Sequence, residues 1–302
     1  MSISKTLFKF FNKKKYNEYK NEKILAKNKI LYNKFIKIKL NKITSMLNEK
    51  KEINFLHSGH LGDVINALPL IKEISKTKKC NYFIEANKNI PSHILISNHP
   101  FGKKFLTDKA VEMILPLIKK QNFIEIAEKY TNQQIDIDLN IFREFPLNFN
   151  IDSVRWYFHL AGVHANLNEK YINVENHKNF HDKIVITRNL SRKNYLINYK
   201  FLNEYNDLLF LGLEDEYLDL KNEIPNLKFY DCKDFLEMAM IIKNSKIFIG
   251  NLSFGFALAE AMKVPRLLES GPNFPLVYPN GNNGFDFYFQ EHFEKLFIKI
   301  YN

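Results

Sequence analysis

The chain has 302 residues, enough for two domains, and 45% of them are hydrophobic, as in an ordinary globular protein. Its two cysteines, Cys80 and Cys232, lie far apart without metal-ligand spacing, which argues against a disulfide framework or a zinc site. No run of about 18 apolar residues occurs, so the sequence predicts no membrane-spanning helix. These features fit a protein of the reducing cytoplasm.

The formal net charge of +11 is concentrated at one end of the chain. Residues 1–52 contain 15 lysines and 4 glutamates, whereas residues 53–302 contain 29 basic and 29 acidic side chains. A nucleic-acid-binding core would carry a basic face of its own. The neutral charge of the remaining chain therefore argues against a nucleic-acid partner.

Residues 1–52 form the first predicted unit, a basic helical extension. Apolar residues from Leu7 to Leu40 recur at roughly helical spacing, with lysines between them. One interpretation is an amphipathic helix that lies on an anionic membrane surface. The other is a solvated helical extension that packs on the body of the protein or on a partner.

The second unit, residues 53–175, begins with a short buried strand, a turn and a helix with one apolar face. Its predicted strands are 53–57, 82–85 and 123–126, and its predicted helices are 64–75, 108–120 and 152–161. This unit is predicted to be a Rossmann-like domain on the acceptor side of the molecule.

The third unit, residues 176–302, alternates short apolar strands with helices. The predicted strands are 184–187, 208–212, 227–230, 246–250 and 265–268, and the predicted helices are 215–223, 233–244, 254–262 and 289–301. Such alternation is typical of a parallel sheet covered on both faces. The predicted fold class is therefore α/β, with two doubly wound domains that face each other across a cleft.

The turn after the first strand carries a candidate catalytic carboxylate. Gly59 and Gly62 let the backbone turn tightly, and Asp63 falls at the start of the following helix. Its carboxylate could cap free amides, or it could take a proton from an acceptor hydroxyl at the mouth of a cleft. The spacing lacks the third glycine of a dinucleotide fingerprint and the lysine of a P-loop.

A second motif, residues 250–261, follows the strand 246–250. The free amides at the start of its helix form an anion site suited to a diphosphate, and Asn251 and Ser253 offer additional donors. The alternative is that these two side chains only cap the helix.

Two further loops follow strands of the third unit. Residues 187–194 contain three cations suited to phosphate, although a solvated basic loop would have the same composition. The stretch from Gly212 to Glu216 offers carboxylates for ribose hydroxyls, or simply an acidic first helical turn. No histidine pair has metal-ligand spacing, and no G-x-S-x-G elbow predicts a nucleophilic serine.

Together these motifs resemble glycosyltransferase family 9, whose heptosyltransferase-like enzymes have the GT-B fold. Residues 62–71 resemble the family's G-D-V-x-x-x-x-P-x-I signature, residues 249–265 its donor motif, and residues 212–216 its G-x-x-x-E stretch. The resemblance covers about residues 53–302 in the same order and leaves the basic extension outside.

The resemblance implies an enzyme that transfers a sugar, with inversion, from a nucleoside-diphosphate donor to a saccharide or lipid-linked acceptor. It implies no metal ion and no organic cofactor, because cations and helix dipoles stabilise the departing diphosphate. The implied setting is surface polysaccharide or lipopolysaccharide assembly, with the basic extension holding a cytoplasmic protein peripherally on the inner membrane.

The resemblance also implies roles for individual residues, with Asp63 as the general base. The implied donor-binding residues are Arg188, Arg192, Lys193, Gly212, Glu216, Gly250, Asn251, Ser253, Phe254 and Glu260. The implied acceptor-side residues are Ser58, Gly59, His60 and Gly62.

One departure from the family weakens the expectation of a particular sugar. Heptosyltransferases usually carry Asp-[Ser/Thr]-Gly after the glycine of the donor motif, whereas residues 251–254 read Asn-Leu-Ser-Phe. Heptose is therefore not predicted as the donor sugar. Two alternatives stay open, namely a nucleotide-sugar epimerase of the same architecture and a non-catalytic nucleotide- or carbohydrate-binding relative.

Overall fold

The computed structural model describes residues 12–91, 100–145, 152–271 and 277–302. Within these ranges the chain forms a helical extension and two α/β domains, each built on a parallel sheet. The two parallel sheets confirm the predicted doubly wound α/β class.

The extension consists of α1 (Lys13–Leu31), a π-helical turn (Tyr32–Ile36) and α2 (Lys37–Glu49). Helix α1 buries none of its residues, whereas Ile36 and Ile43 are buried against the first domain. Within the described part of the extension, which starts at residue 12, only the second half is therefore anchored. None of the helices in the described ranges combines the length and apolar composition that a membrane crossing requires.

The first domain has a four-stranded sheet in the order β3-β2-β1-β4, with all strands parallel. Its strands are β1 (Glu52–His57), β2 (Lys79–Ile84), β3 (Ile126–Lys129) and β4 (Ile137–Asp138). Its helices are α3 (Leu61–Asn66), α4 (Leu68–Ser75), α5 (Asp108–Lys119) and α6 (Ser153–Ala161).

The second domain has a six-stranded parallel sheet in the order β10-β9-β8-β5-β6-β7. Its strands are β5 (Ile184–Thr187), β6 (Leu208–Phe210), β7 (Lys228–Phe229), β8 (Ile247–Asn251), β9 (Arg266–Glu269) and β10 (Gly284–Phe287). Its helices are α7 (Glu214–Lys221), α8 (Phe235–Lys243), α9 (Phe254–Met262) and α10 (Gln290–Tyr301), with 3-10 turns at Leu190–Arg192 and Lys200–Glu204.

Each sheet reverses its strand order around an internal strand. The chain builds outward from β1 to β3 and then returns to add β4 on the other side of β1. It likewise builds from β5 to β7 and then adds β8 on the other side of β5. Loops diverge at such reversals and leave a crevice at the carboxyl ends of the strands.

The two domains share a hydrophobic core. One buried cluster joins the helices of the first domain to α8 and α9 of the second, through the contacts of α3 with α9 and of α5 with α8. A second cluster lies on the other face of the second sheet, beneath α10. The first cluster therefore holds the carboxyl edges of the two sheets close to one another.

Some predicted elements need correction. The strand predicted at 123–126 is wrong, because β3 begins only at Ile126, while Ile124 is buried in the preceding loop. The helix predicted at 64–75 is divided at Ala67, where Pro69 lacks the N–H that a continuous helix needs. Strands β4 and β10 were not predicted, since β4 has two residues and β10 begins with glycine.

We expect Phe293→Ala to destabilise the second domain by about 3–5 kcal/mol, because it removes a fully buried ring. The Phe293 ring stacks on Phe287 with 4.0 Å between ring centroids, which fixes α10 to the sheet. Chemical denaturation measures the loss. Ile298→Ala, at an exposed position of the same helix, is the control, and equal effects of the two substitutions would contradict the packing described here.

Candidate functional site

The reversal points of the two sheets open onto one cavity of about 640 Å³ between the domains. The first domain lines it with the start of α3, part of α5, and Arg143 after β4. The second domain lines it with the loops after β5, β6, β7 and β8 and with the start of α9. The cavity therefore occupies the place where doubly wound sheets bind ligands.

Asp63 lies at the first reversal point, in the first turn of α3. Its Oδ2 atom accepts hydrogen bonds from the backbone N–H of His60, at 3.1 Å, and from Nη2 of Arg143, at 2.5 Å. Burial would raise the pKa of this carboxyl, but the charge of Arg143 and the neighbouring His60 outweigh burial and hold the pKa below its usual value. Asp63 is therefore an ionised carboxylate that caps α3 and also lines the cavity.

The turn before Asp63 is fixed by a buried histidine. Nδ1 of His57 accepts the N–H of Gly59 at 3.0 Å, so Nε2 carries the proton and donates to the Tyr157 hydroxyl at 2.9 Å. The Tyr157 hydroxyl in turn donates to the backbone oxygen of Asp63 at 3.2 Å. Burial lowers the pKa of His57 to about 3, so the ring stays neutral and serves to hold the turn.

The second reversal point presents the start of α9. The Ser253 hydroxyl accepts the N–H of Phe256 at 3.5 Å and lies 3.2 Å from the Thr187 hydroxyl. The backbone amides of Phe254 and Gly255 come before the Phe256 amide, which Ser253 caps. Both of these residues line the cavity. The lack of a side chain at Gly255 is required, because a Cβ there would lie 2.6 Å from the Thr187 side chain.

Two of the predicted donor ligands instead hold the loop after β5. The Asn251 side chain accepts the N–H of Asn189 at 2.9 Å and donates to its backbone oxygen at 2.8 Å. The buried Arg188 guanidinium donates to both oxygens of Glu269, at 2.8 Å and 3.2 Å. Arg188 thus pairs with a buried carboxylate while it also lines the cavity, and its phosphate-binding role stays a prediction.

Arg192 differs from Arg188 in its electrostatic surroundings. It lines the cavity, and burial lowers its pKa to about 10, with the charge of Asp63 opposing the shift. The cation thus faces the carboxylate of the other domain across the cavity. A partly desolvated guanidinium is well suited to bind phosphate oxygens.

Glu216 lies in the first turn of α7, beside Gly212. Its carboxylate accepts the side-chain N–H of Asn189 at 2.8 Å and the backbone N–H of Leu213 at 3.3 Å. Burial nevertheless raises its pKa to about 7. Glu216 is thus a buried acceptor that lines the cavity and changes protonation near neutral pH.

The structure brings together most of the predicted site residues, but not all. Those that line the cavity are His60, Gly62, Asp63, Arg188, Arg192, Gly212, Glu216, Ser253 and Phe254. Those that lie outside its lining are Ser58, Gly59, Lys193, Gly250, Asn251 and Glu260.

Two residues that do not line the cavity, Lys193 and Glu260, form ion pairs with other side chains. Lys193 binds the carboxylate of Asp219 at 2.8 Å. Glu260, near the end of α9, accepts the Nε proton of Arg266 at 2.6 Å and pairs with Lys263. Neither residue lines the cavity, and their donor-binding roles stay predictions.

Arg143 and Asn189 were not predicted as site residues. Arg143 follows the two-residue strand β4, so no sequence pattern marked it as the end of a strand. Asn189 is the residue next to Arg188, and its amide joins Glu216 to the loop after β5. For Asn189 the signal was present, because it follows a predicted strand directly.

No protein-family model matches the sequence, and no curated protein matches it with significance. The fold is similar to that of E. coli heptosyltransferase WaaC, solved with ADP, at a TM-score of 0.50 and 11% identity over 83% of this chain and 100% of that one. It is also similar to TibC of enterotoxigenic E. coli, a dodecameric iron-containing heptosyltransferase solved with ADP-D-β-D-heptose, at a TM-score of 0.50 and 12% identity over 80% of this chain and 63% of that one. These similarities confirm the predicted GT-B-like arrangement of two facing α/β domains.

We expect the stability of the protein to depend on the protonation of Glu216. The folded pKa of about 7 lies above the ordinary glutamate value of 4.5, so the folded state binds this proton more tightly. Wild-type stability therefore falls as pH rises from about 4.5 to about 7. Glu216→Gln has no such proton to lose. The unfolding free energy of the variant minus that of wild type should therefore increase from about pH 5 to about pH 8, by roughly 2 kcal/mol.

Denaturant unfolding at several pH values measures this difference. The control is Glu214→Gln, at an exposed position of the same helical turn. A pH-independent difference for Glu216→Gln, or the same trend for Glu214→Gln, would show that burial does not raise the pKa of Glu216.

Proposed function

We propose that the protein is an inverting glycosyltransferase, which moves a sugar from a nucleoside diphosphate to a saccharide or lipid-linked acceptor. The observation that carries the proposal is the shared cavity. It places an ionised carboxylate from one domain opposite a helix N-terminus, a cation and a buried acceptor from the other. These are the groups needed to accept a proton, hold a diphosphate and bind a ribose.

The order of strands in the second sheet supports one orientation of the donor. The loops after β8 and β5, with the start of α9 and Arg192, offer positive charge and free amides for the diphosphate. The next strand, β6, leads to Glu216, whose carboxylate can accept hydrogen bonds from ribose hydroxyls. The base then extends toward the loop after β7, and the sugar toward the first domain.

With the donor in this orientation, its sugar lies toward the first domain, and Asp63 is the carboxylate that we assign as the general base. The acceptor hydroxyl gives its proton to the carboxylate while its oxygen bonds to the anomeric carbon of the sugar. The bond between that carbon and the diphosphate oxygen breaks, and the nucleoside diphosphate leaves with the electron pair. Attack opposite the leaving group inverts the anomeric centre. Arg192 and the amides of α9 stabilise the charge on the departing diphosphate.

The structures of similar fold support the donor class but not the sugar. WaaC was solved with ADP and TibC with ADP-heptose, so this architecture holds nucleoside diphosphates in other proteins. In this chain Leu252 and Phe254 line the cavity next to the predicted diphosphate site.

The proposal predicts that one nucleoside diphosphate or its sugar conjugate stabilises the protein against heat. A ligand at about 100 times its Kd adds roughly 2.7 kcal/mol, which shifts Tm visibly. Arg192→Ala should lose most of the shift, because it removes a charged partner of the diphosphate. Arg155→Ala, at an exposed arginine on α6, is the control and should keep it.

A panel of nucleotides and nucleotide sugars, measured by thermal unfolding, tests this prediction. If no member stabilises the wild-type protein, the nucleotide-sugar function is contradicted. If Arg192→Ala keeps the full thermal shift, the diphosphate does not bind at Arg192. The protein would then still bind a nucleoside diphosphate, but at another position.

The basic extension supports a peripheral site of action on an anionic membrane. Helix α1 exposes Ile24, Leu25 and Ile30 together with its lysines. Repulsion between these lysines disfavours pairing with a second copy, whereas an acidic surface would attract them. Membrane attachment would bring the cleft to lipid-linked acceptors and would agree with surface polysaccharide assembly.

We expect the full chain to bind vesicles that contain anionic phospholipid and to leave them as salt is added. Removal of residues 1–31 should weaken binding at least about tenfold, because each lysine near the surface contributes about 1 kcal/mol. The shortened chain keeps Ile36 and Ile43, which anchor the extension to the body. Co-sedimentation measures both chains, with neutral phospholipid vesicles as the control. Equal binding of both chains, or binding of neither, would contradict this role.

A further inference from the structure

Arg143 is placed beside Asp63 by the topology of the first sheet. Strands β1 and β4 are neighbours although about 80 residues separate them in the chain, and the loops after both meet at the reversal point. Asp63 follows β1 and Arg143 follows β4. Nη2 of Arg143 lies 2.5 Å from Oδ2 of Asp63, and both side chains are about four-fifths buried.

The Arg143 guanidinium is itself held on several sides. Its Nη1 donates to Oδ1 of Asn140 at 2.9 Å, and its carbon lies 4.6 Å and 5.6 Å from the ring centroids of Phe142 and Phe105. Gly59 makes room for it, because a Cβ at that position would lie 3.0 Å from Nη1. These contacts restrain the Arg143 guanidinium to one orientation relative to the Asp63 carboxylate.

The two carboxylate oxygens of Asp63 differ in their hydrogen bonds. Oδ2 accepts the two hydrogen bonds from His60 and Arg143. Among the residues that the structure describes, none donates to Oδ1. Because Asp63 lines the cavity, Oδ1 is the oxygen that can accept a proton from an incoming hydroxyl.

We propose that Arg143 is a positioning residue, which orients Asp63 and keeps it ionised so that Oδ1 receives the acceptor proton. The inference rests on the proposed transferase function and assigns a role that Asp63 alone does not explain. In the step concerned, the proton moves from the acceptor oxygen to Oδ1, and that oxygen bonds to the anomeric carbon as the diphosphate departs. In this proposal Arg143 acts on the reaction through Asp63 and takes no part in making or breaking a bond.

The charged and titratable groups around Asp63 come from four other parts of the fold. Besides Arg143, they are His57 and His60 of the turn, Tyr82 of β2, Tyr157 of α6 and Arg192 across the cavity. Arg143 has the largest charge effect on Asp63, and it opposes the effect of burial. Loss of Arg143 should therefore leave a partly buried carboxylate whose pKa rises.

The first experiment titrates Asp63 in the full chain, by NMR of isotope-labelled aspartate carboxyl carbons, with Asp63→Asn to assign the signal. In Arg143→Met the titration midpoint should rise by about 1 pH unit or more. Arg143→Lys retains the charge and should restore most of the shift. Arg155→Met is the control and should match wild type.

The second experiment follows turnover of whichever nucleotide sugar gives the largest thermal shift. Arg143→Met should lower kcat by roughly 10- to 100-fold and move the acid limb of the pH profile upward, while its nucleotide-induced thermal shift stays as in wild type. Arg143→Lys should recover the acid limb but only part of kcat, because an ammonium cannot reproduce the planar contacts.

The outcomes separate this inference from the proposed function. An unchanged Asp63 midpoint in Arg143→Met overturns the inference, whatever the reaction. An altered midpoint with wild-type kcat and pH profile also overturns it, because Arg143 would then have no part in the chemistry. If no nucleotide sugar binds to wild type, the proposed function fails, and the positioning role fails with it even where the two side chains are coupled.

Discussion

The candidate site depends on the reversal of strand order in each sheet. The chain enters both sheets at an internal strand, β1 or β5, extends to one side and then returns to the other. Two loops diverge at each reversal, so backbone amides and polar side chains gather at the carboxyl edge. The contact of α3 with α9 then holds the two edges together, with Gly62 close to Ala257. One cavity results, although its lining comes from widely separated parts of the sequence.

Several polar residues at this edge stabilise a helix end or a loop and also contribute to the cavity or to its lining. Asp63 caps α3 and also lines the cavity as an anion, so the capping and the catalytic interpretations do not exclude each other. Asn251 and Arg188 shape the loop after β5, and that loop carries Arg192 to the cavity. Residues of the predicted motifs therefore line one cavity, and the contacts show which of them also hold loops in place.

The sequence was sufficient to predict elements with a strong local signal. Strand β1, the loop with Asp63, and the succession of strands and helices after residue 184 follow from apolar periodicity and glycine positions. The two-residue strand β4 has no such periodicity, and Arg143 was missed with it. In the same way, a motif gives the position of Glu260 along α9 but not the buried Arg266 that pairs with it. In both cases the contact joins residues from different elements of the fold, β4 with β1 and Arg266 with Glu260. A short stretch of sequence contains no pattern that predicts such a contact.

We propose that the start of α9, Arg192 and Glu216 hold one nucleoside diphosphate across the second reversal point. A crystal structure of the full chain with the nucleoside diphosphate that gives the largest thermal shift tests this claim most directly. We expect the diphosphate oxygens to lie within hydrogen-bond distance of the Phe254 and Gly255 amides and of Arg192. The ribose hydroxyls should donate hydrogen bonds to Glu216. A nucleotide bound away from α9, or a cleft without nucleotide at a saturating concentration, would contradict it.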